Sequence, residues 1–141
     1  MLFHYNTFIL KQINTIGYVR NSWHKAVPAD SKMMKKSISY IEINEEYADG
    51  LFKIEEYDKL DVLFYFHKSK GCELKTLNRS GMLKGVFATR SPFRPSLIGI
   101  CSVTLLEVNG NVLKVTGLDA INGTPVLDIK PEMQTWLNSP G

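Results

Sequence analysis

The stretch IGICSVTLLEVNGNVLKVTG, from Ile98 to Gly117, decides the fold class of this 141-residue chain. Apolar and β-branched residues run through both of its halves, which is typical of strands. Between the halves, the pair Asn109-Gly110 can supply the positive φ angles of a tight type I′ turn. The stretch therefore predicts a β-hairpin with strands Ile98–Val108 and Asn111–Gly117.

Outward from this hairpin, four further apolar segments predict short strands. They are Phe8–Val19 (with Gly17 as a bulge or point of close approach), Ser37–Ile43, Val62–His67 and Val126–Ile129. The continuous apolar run Val62–His67 favours a strand buried on both faces. Many short strands with little helix indicate a mainly β barrel or sandwich, organised as one domain over residues 1–141.

The other segments predict helix, loop and tail. Apolar residues spaced by three and four predict helix over Glu45–Leu60, which Gly50 divides into two short turns. Asn21–Lys36 is polar, contains Pro28 and is expected to be a loop. Glu132–Gly141 is expected to be a frayed tail.

Composition excludes several classes of protein. With 44% hydrophobic and 22% charged residues, the chain has the balance of a globular protein. No apolar run approaches the roughly 20 residues of a membrane span, and the first residues lack the pattern of a signal peptide. Cys72 and Cys101 form no CxxC motif, which favours reduced thiols in the cytoplasm over a disulfide or a metal site. His4, His24 and His67 have no metal-binding spacing, so no metal is expected.

Charge is unevenly distributed along the chain. Eight acidic residues lie between Glu42 and Asp61, against Lys53 and Lys59. Seven basic residues and a single Glu follow between Val62 and Ile100. The basic segment could bind a polyanion such as RNA, or the two segments could face each other or water.

The segment GVFATRSPFRPSLIG, Gly85–Gly99, carries the most useful surface chemistry. Val86 to Ala88 is expected to end a buried strand. Thr89–Ser96 then predicts a rigid loop, because Pro92 and Pro95 fix their own φ angles and restrict the preceding residues. In such a loop Arg90 and Arg94 can each clamp a carboxylate or a phosphate, unless they are simply solvated.

A second candidate site lies in LDAINGTPVLDIKP, Leu118–Pro131. Asn122, Gly123 and Thr124 offer backbone N–H groups, an amide and a hydroxyl in one turn, which can cradle a polar ligand or be an ordinary turn. Asp128 and Lys130 would project to the same side of a strand and could pair. His67, at the end of its strand, is more typical of a satisfied buried histidine, although a functional role stays open. The phosphate-binding motif GxGxxG is absent.

Taken together, these motifs resemble the TsaA-like family of S-adenosylmethionine-dependent tRNA methyltransferases. The matching strings, in family order, are IGYVR (Ile16–Arg20), EYADGL (Glu46–Leu51), VLFYFH (Val62–His67), GVFATRSPFRP (Gly85–Pro95) and LLEVNGNVLKVTGLDAINGTPVLDIKP (Leu105–Pro131). The resemblance implies a closed, mainly antiparallel β-barrel with one or two short helical segments. It further implies a homodimer, the cofactor S-adenosylmethionine and a tRNA substrate, on which threonylcarbamoyl-modified adenosine 3′ of the anticodon is N-methylated.

The resemblance also assigns roles to residues. Its cofactor contacts fall on His67, Lys68, Arg90, Ile100 and the turn Ile121, Asn122, Gly123 and Thr124. Arg94 and Lys130 are expected to contact the substrate. Asp128 and His67 are candidates to accept the proton that the acceptor nitrogen must lose.

The sequence departs from the family pattern at three places. Ser96-Leu97 replaces an asparagine and a proline in the central loop, VPAD (Val27–Asp30) replaces RQPG, and Glu132 follows IKP where a tyrosine is usual. Long bacterial members also carry a C-terminal domain that is not in this sequence. These departures leave two alternatives open: methylation of another RNA or a small molecule, or a non-catalytic module that binds S-adenosylmethionine.

Overall fold

The computed structural model describes residues 11–25 and 32–139. Six strands close into a barrel in the order β1-β2-β7-β6-β3-β8, every pair antiparallel, and β4 and β5 form a separate two-stranded hairpin. The strands are β1 (Gly17–Arg20), β2 (Ile38–Ile43), β3 (Lys59–Tyr65), β4 (Lys75–Leu77), β5 (Leu83–Gly85), β6 (Ile98–Asn109), β7 (Val112–Thr116) and β8 (Pro125–Pro131). The closed, mainly β barrel confirms the predicted fold class.

Alternate residues of each strand fill the barrel. In β3, Leu60, Val62 and Phe64 are buried, whereas the residues between them are more exposed. The prediction of a strand buried on both faces is therefore wrong, because a barrel strand turns one face to the interior and the other outward. β3 ends at Tyr65, so His67 lies in the turn that follows it.

The predicted hairpin is present, but its turn lies one residue further along. Asn109 pairs with Val112, which leaves Gly110 and Asn111 as the two loop residues. Only Gly110 has a positive φ, 61°, as in a type II′ turn and not the predicted type I′. The Asn111 amide donates a 2.6 Å hydrogen bond to the Ile43 carbonyl, which holds this end of the hairpin against β2.

The region predicted as helix consists of two 3₁₀ helices, Glu45–Leu51 and Ile54–Glu56. The division is present, but it lies at Lys53, whose φ is 67°, and not at Gly50. Gly17 is a point of close approach, as predicted, because a Cβ there would overlap the Glu42 carbonyl oxygen. Of the predicted first strand only β1 forms; the part before residue 11 lies outside the described residues.

Two short α-helices lie where loop and tail are predicted. α1 (Lys32–Lys36) falls within the predicted loop, part of which (26–31) lies outside the described residues. α2 (Met133–Leu137) falls within the predicted tail, where the Glu132 carboxylate accepts a 2.6 Å hydrogen bond from the Gln134 backbone and caps the helix. In the described part of the chain, every helix is too short or too polar to cross a membrane.

Val86–Ala88 is a 3₁₀ turn and not the end of a strand. Val86 is buried, but Phe87 is 78% exposed, so this segment turns the chain from the β4–β5 hairpin into the proline loop, defined here as Thr89–Ser96. The proline loop is non-repetitive, as predicted. It leads directly into β6 and therefore lies at the beginning of the longest strand.

Candidate functional site

A cleft of about 1250 Å³ lies against the first half of β6. Ile98, Ile100, Ser102 and Thr104, on the outward face of β6, form its base. Its walls are the proline loop, the tip of the β4–β5 hairpin, α1, and the segment from Thr116 to Asp119 after β7. A space of this size is ample for a small-molecule ligand.

Hydrogen bonds within the proline loop hold it in one shape. The Arg94 guanidinium donates to the carbonyls of Thr89 and Ser91, at 2.8 and 3.3 Å. Ser69, from the turn after β3, donates a 3.0 Å bond to the Pro92 carbonyl. Arg94, which is expected to contact the substrate, therefore uses part of its hydrogen-bonding capacity within its own loop.

Arg90 lies at the edge of the cleft and joins the loop to β6. Its Nη2 donates a 2.6 Å hydrogen bond to the carbonyl of Ile100. The Ile100 side chain is 46% exposed and lines the cleft beside it. The structure thus brings together Arg90 and Ile100, which the resemblance assigns to the same ligand.

Asp119 is the one acidic side chain among the described residues that line the cleft, against the five cations Lys35, Lys59, Arg79, Arg90 and Arg94. Partial burial raises the pKa of Asp119, and the nearby charge of Arg90 lowers it by less. Its backbone N–H donates to the Cys101 thiol at 3.4 Å. Burial also raises the pKa of Cys101, so this thiol is held in its neutral form.

Two aromatic rings lie at the inner end of the cleft. Phe64 and Phe66 pack edge to face, with ring centroids 5.3 Å apart and an interplanar angle of 79°. A Cβ at Gly99 would come within 2.8 Å of three atoms of these rings. Glycine is therefore required at this position for β6 to pass beside both rings.

The turn at Ile121–Thr124 is held tightly by the protein itself. The backbone N–H groups of Asn122, Gly123 and Thr124 donate to the carbonyls of Trp23, Val19 and Ile121, respectively. The Thr124 hydroxyl is buried and donates a 2.6 Å bond to the Ile121 carbonyl. The backbone donors of this turn are therefore used within the barrel, as in an ordinary turn, and the assignment of cofactor contacts to it stays a prediction.

Asn21 fixes this turn from the end of β1, a role that the sequence did not reveal. Its backbone N–H donates to the Asn122 side-chain oxygen at 3.0 Å. Its side-chain amide donates to the Ala120 carbonyl at 2.8 Å and to the Ser39 hydroxyl at 3.0 Å. An asparagine in a polar segment carries no pattern that would predict contacts a hundred residues away.

The turn after β3 links the two predicted sites. His67 Nε2 lies 3.9 Å from where a Cβ of Gly123 would be, so the ring is next to the Ile121–Thr124 turn. Phe66, one residue earlier, lines the cleft, and Ser69, two residues later, bonds the proline loop. Partial burial and the charge of Lys68 lower the pKa of His67. The proline loop and the Asn-Gly-Thr turn therefore both adjoin this one segment.

Asp128 and Lys130 are not among the residues that line the cleft. Their side chains form the predicted ion pair, 3.1 Å apart and about half exposed. Asp128 pairs with Leu63 and Lys130 with Asp61, so both belong to the β3–β8 side of the barrel. Their proposed chemical roles stay predictions.

The two charge segments occupy different places. The 3₁₀ helix Glu45–Leu51 of the acidic segment borders a small pocket shared with Gly110, at the far end of β6. The basic segment supplies Arg79, Arg90 and Arg94 to the cleft at the near end of β6, and its Lys68 and Lys70 are exposed. The basic charge is therefore not covered by the acidic helix.

Comparisons with known proteins identify the family of this chain. A family model described as the tRNA-methyltransferase O N-terminal domain matches residues 19–136. A probable S-adenosyl-L-methionine-binding protein of Archaeoglobus fulgidus is 41% identical over 130 residues, 90% of this chain and 35% of that protein. A tRNA (adenine(37)-N6)-methyltransferase of Mus musculus is 42% identical over 126 residues, 82% of this chain and 29% of that protein.

The crystal structure of TrmO from Pseudomonas aeruginosa has the same fold, with a TM-score of 0.73 at 27% identity, covering 94% of this chain and 60% of that one. The chain spans about a third of the length of the two curated relatives. Because the family model covers most of the chain, from the middle of β1 into α2, this chain belongs to the family of tRNA-methyltransferase O N-terminal domains, the TsaA-like family of the sequence analysis.

Proposed function

We propose that the protein is an S-adenosylmethionine-dependent methyltransferase that N-methylates threonylcarbamoyl-modified adenosine in tRNA, 3′ of the anticodon. The observation that carries the proposal is a cationic cleft joined by one short turn to the Asn-Gly-Thr bend, in a chain of this family. The names of the two relatives, one for S-adenosylmethionine binding and one for tRNA adenine methylation, support both halves of the proposal.

The described residues fit S-adenosylmethionine. Phe66 and the outward side chains of Ile98 and Ile100 give the cleft an apolar surface, against which the flat base of the cofactor can pack. Arg90 and Ile100 line the cleft, whereas His67 and the Ile121–Thr124 turn do not; His67 adjoins that turn and follows directly on Phe66, which does line the cleft. We assign the cofactor to His67, Lys68, Arg90, Ile100 and Ile121, Asn122, Gly123 and Thr124. When bound, the cofactor supplies a methyl group on a positively charged sulfur.

The protein's own contribution is mainly positioning. A closed barrel holds the proline loop and the Asn-Gly-Thr turn at fixed places, which favours a single orientation of two reactants. The cleft carries five cations, and Lys68 and Lys70 are exposed next to it. Cations of this number suit the phosphates of an RNA, and we assign Arg94, one of the five, and Lys130 from β8 to contact with the substrate.

A homodimer in the cytoplasm completes the proposal. The resemblance supports the dimer, and two cysteines outside any CxxC motif support a reducing compartment.

The direct test is methyl transfer from labelled S-adenosylmethionine to tRNA. Transfer is expected to tRNA that carries threonylcarbamoyladenosine and not to the same tRNA without that modification. RNA affinity should fall steeply with added salt, since phosphate contacts release counterions. Tight cofactor binding without transfer to the modified tRNA would contradict the proposal.

Arg90→Ala tests the cofactor site by calorimetry. We expect at least a tenfold loss of S-adenosylmethionine affinity, about 1.4 kcal/mol, because the guanidinium both borders the ligand and anchors the loop on β6. Lys114→Ala, a basic residue of β7 outside the cleft, is the matched control and should leave the affinity unchanged. Equal affinities of wild type and Arg90→Ala would remove Arg90 from the site.

One observation favours a second acceptor. Leu97 has a φ of 55°, and the Phe66 N–H donates to its carbonyl at 2.8 Å. The proline that is usual in the family has φ near −65°, so it cannot adopt this backbone conformation. Leu97 lies between the proline loop and Ile98, both of which line the cleft, so a different backbone here changes the edge of the cleft. The alternative acceptor is therefore a different RNA or a small molecule. Transfer to another tRNA or to a metabolite pool would distinguish it.

A further inference from the structure

The charged side chains that line the cleft are nearly all positive. Lys35 comes from α1, Lys59 from β3, Arg79 from the hairpin tip, and Arg90 and Arg94 from the proline loop. Cys101 of β6 also contributes to the lining, but its thiol donates to the Gly117 carbonyl at 3.2 Å and burial keeps it neutral. Among the described lining residues, Asp119 is the single carboxylate, and no histidine contributes.

The Asp119 carboxylate is also unpartnered. Its backbone N–H is bonded to Cys101, but within the part of the chain that the structure describes the carboxylate itself makes neither a hydrogen bond nor an ion pair. The neighbouring Arg90 donates to the Ile100 carbonyl instead. No buried side-chain oxygen or nitrogen among the described residues lacks a hydrogen-bond partner, so the unpartnered oxygens of Asp119 are open to the cleft and can be reached by a substrate bound there.

We propose that Asp119 is the proton acceptor of the methyl transfer, a role that rests on the function proposed above. As the bond between the acceptor nitrogen and the methyl carbon forms, the sulfur–methyl bond breaks and its electron pair stays on sulfur. The proton of the acceptor nitrogen passes to the Asp119 carboxylate. Charge is balanced, because the sulfonium becomes a neutral thioether and the carboxylate becomes a neutral acid.

The other candidates suit this step less well. Asp128 is ion-paired with Lys130 and is not among the lining residues of the cleft. His67 adjoins the Asn-Gly-Thr turn and does not line the cleft either. Partial burial makes Asp119 more basic than an exposed aspartate, which improves a proton acceptor.

The test is single-turnover methyl transfer to modified tRNA by Asp119→Asn, measured over a range of pH. General-base catalysis contributes about 10²- to 10⁴-fold, so a loss of that order is expected. The wild-type rate should rise with pH as the carboxylate deprotonates, and this rise should be absent in Asp119→Asn. The dissociation constant of S-adenosylmethionine should stay within about threefold of wild type, because the loss lies in the chemical step.

Stability provides a readout that separates this role from a structural one. Removing an unpaired, partly buried charge should leave the melting temperature unchanged or raised, whereas loss of a structural contact would lower it. Asp119→Glu, which retains the carboxylate one methylene further out, should restore part of the rate and the pH dependence. Glu107→Gln, the same chemical change at an exposed position of β6 outside the cleft, should behave as wild type.

Three results would overturn the assignment. The first is an Asp119→Asn rate within about threefold of wild type, far below the 10²-fold expected of a general base. The second is a loss of cofactor affinity that matches the loss of rate. The third is disappearance of the pH dependence in Asp128→Asn instead. If wild type itself transfers no methyl group to modified tRNA, the proposed function fails and this assignment fails with it.

Discussion

Gly99→Ala tests the packing on which the inner end of the cleft depends. Gly99 lies on β6 opposite Phe64 of β3, at a position whose side chain would enter the space of the two rings. The added Cβ would lie 2.7 Å from Phe64 Cε2 and from Phe66 Cζ, and 2.8 Å from Phe64 Cζ. Ordinary contact begins near 3.4 Å, so the rings must withdraw by about 0.7 Å.

The expected cost follows from how little room the rings have. Phe64 is 3% exposed and belongs to the barrel core, and Phe66 packs against it edge to face. Forcing one extra methyl group into a packed core costs about 1 to 3 kcal/mol of unfolding free energy. At about 4 °C for each kcal/mol, the melting temperature should fall by about 4 to 12 °C.

Urea unfolding followed by circular dichroism measures the change directly. Gly50→Ala is the matched control, since a Cβ there meets nothing within 4 Å and Gly50 has no positive φ; its stability should stay equal or rise by about 0.4 to 1 kcal/mol. The double variant Gly99→Ala/Phe66→Leu should lose less than the sum of the two single changes, because the smaller side chain vacates the contested space. A Gly99→Ala variant as stable as Gly50→Ala would refute the packing argument.

Three further predictions concern single groups. Burial and the charge of Lys68 lower the pKa of His67 below its usual 6.5, so the folded state binds this proton less readily than the unfolded state. The free energy of unfolding should therefore decline as the pH falls through and below 6.5. The urea midpoint of His67→Gln should decline less over the same pH range. Lys53→Gly should stabilise the protein by up to about 1 kcal/mol in thermal unfolding, since glycine adopts the φ of 67° without strain; a lower melting temperature would contradict this. Thr124→Val should destabilise by about 1 kcal/mol in urea, because it removes a buried 2.6 Å hydrogen bond to Ile121; unchanged stability would show that this bond contributes nothing.

The sequence was most informative where a structure depends on residues close together along the chain. Alternation of apolar residues and the glycine after Asn109 are local signals, and they predicted the β6–β7 hairpin to within one residue of its turn. The turn itself moved because Asn111 bonds to Ile43, a residue 68 positions away that no local pattern reveals. The prolines similarly predicted a stiff loop, although they could not show that Arg94 bonds its own carbonyls.

The sites needed long-range information. Asn-Gly-Thr has the composition of a ligand-binding turn, yet its N–H groups donate to Trp23, to Val19 of β1 and to Ile121 of the same turn. Asp119 stands in the sequence as one polar residue in a turn-rich segment. Only closure of the barrel places it beside Arg90, in a cleft that is lined by five cations in all.

The amino-acid sequence alone determined a mainly β chain, its strongest hairpin, its rigid loop and the family it resembles, because these depend on side-chain periodicity, restricted φ angles and ordered motifs. Only the tertiary structure decided which face of each strand is buried, which donors remain free and which carboxylate faces the cleft. These properties depend on the register and closure of six strands, which place side chains from distant segments within a few ångströms of one another.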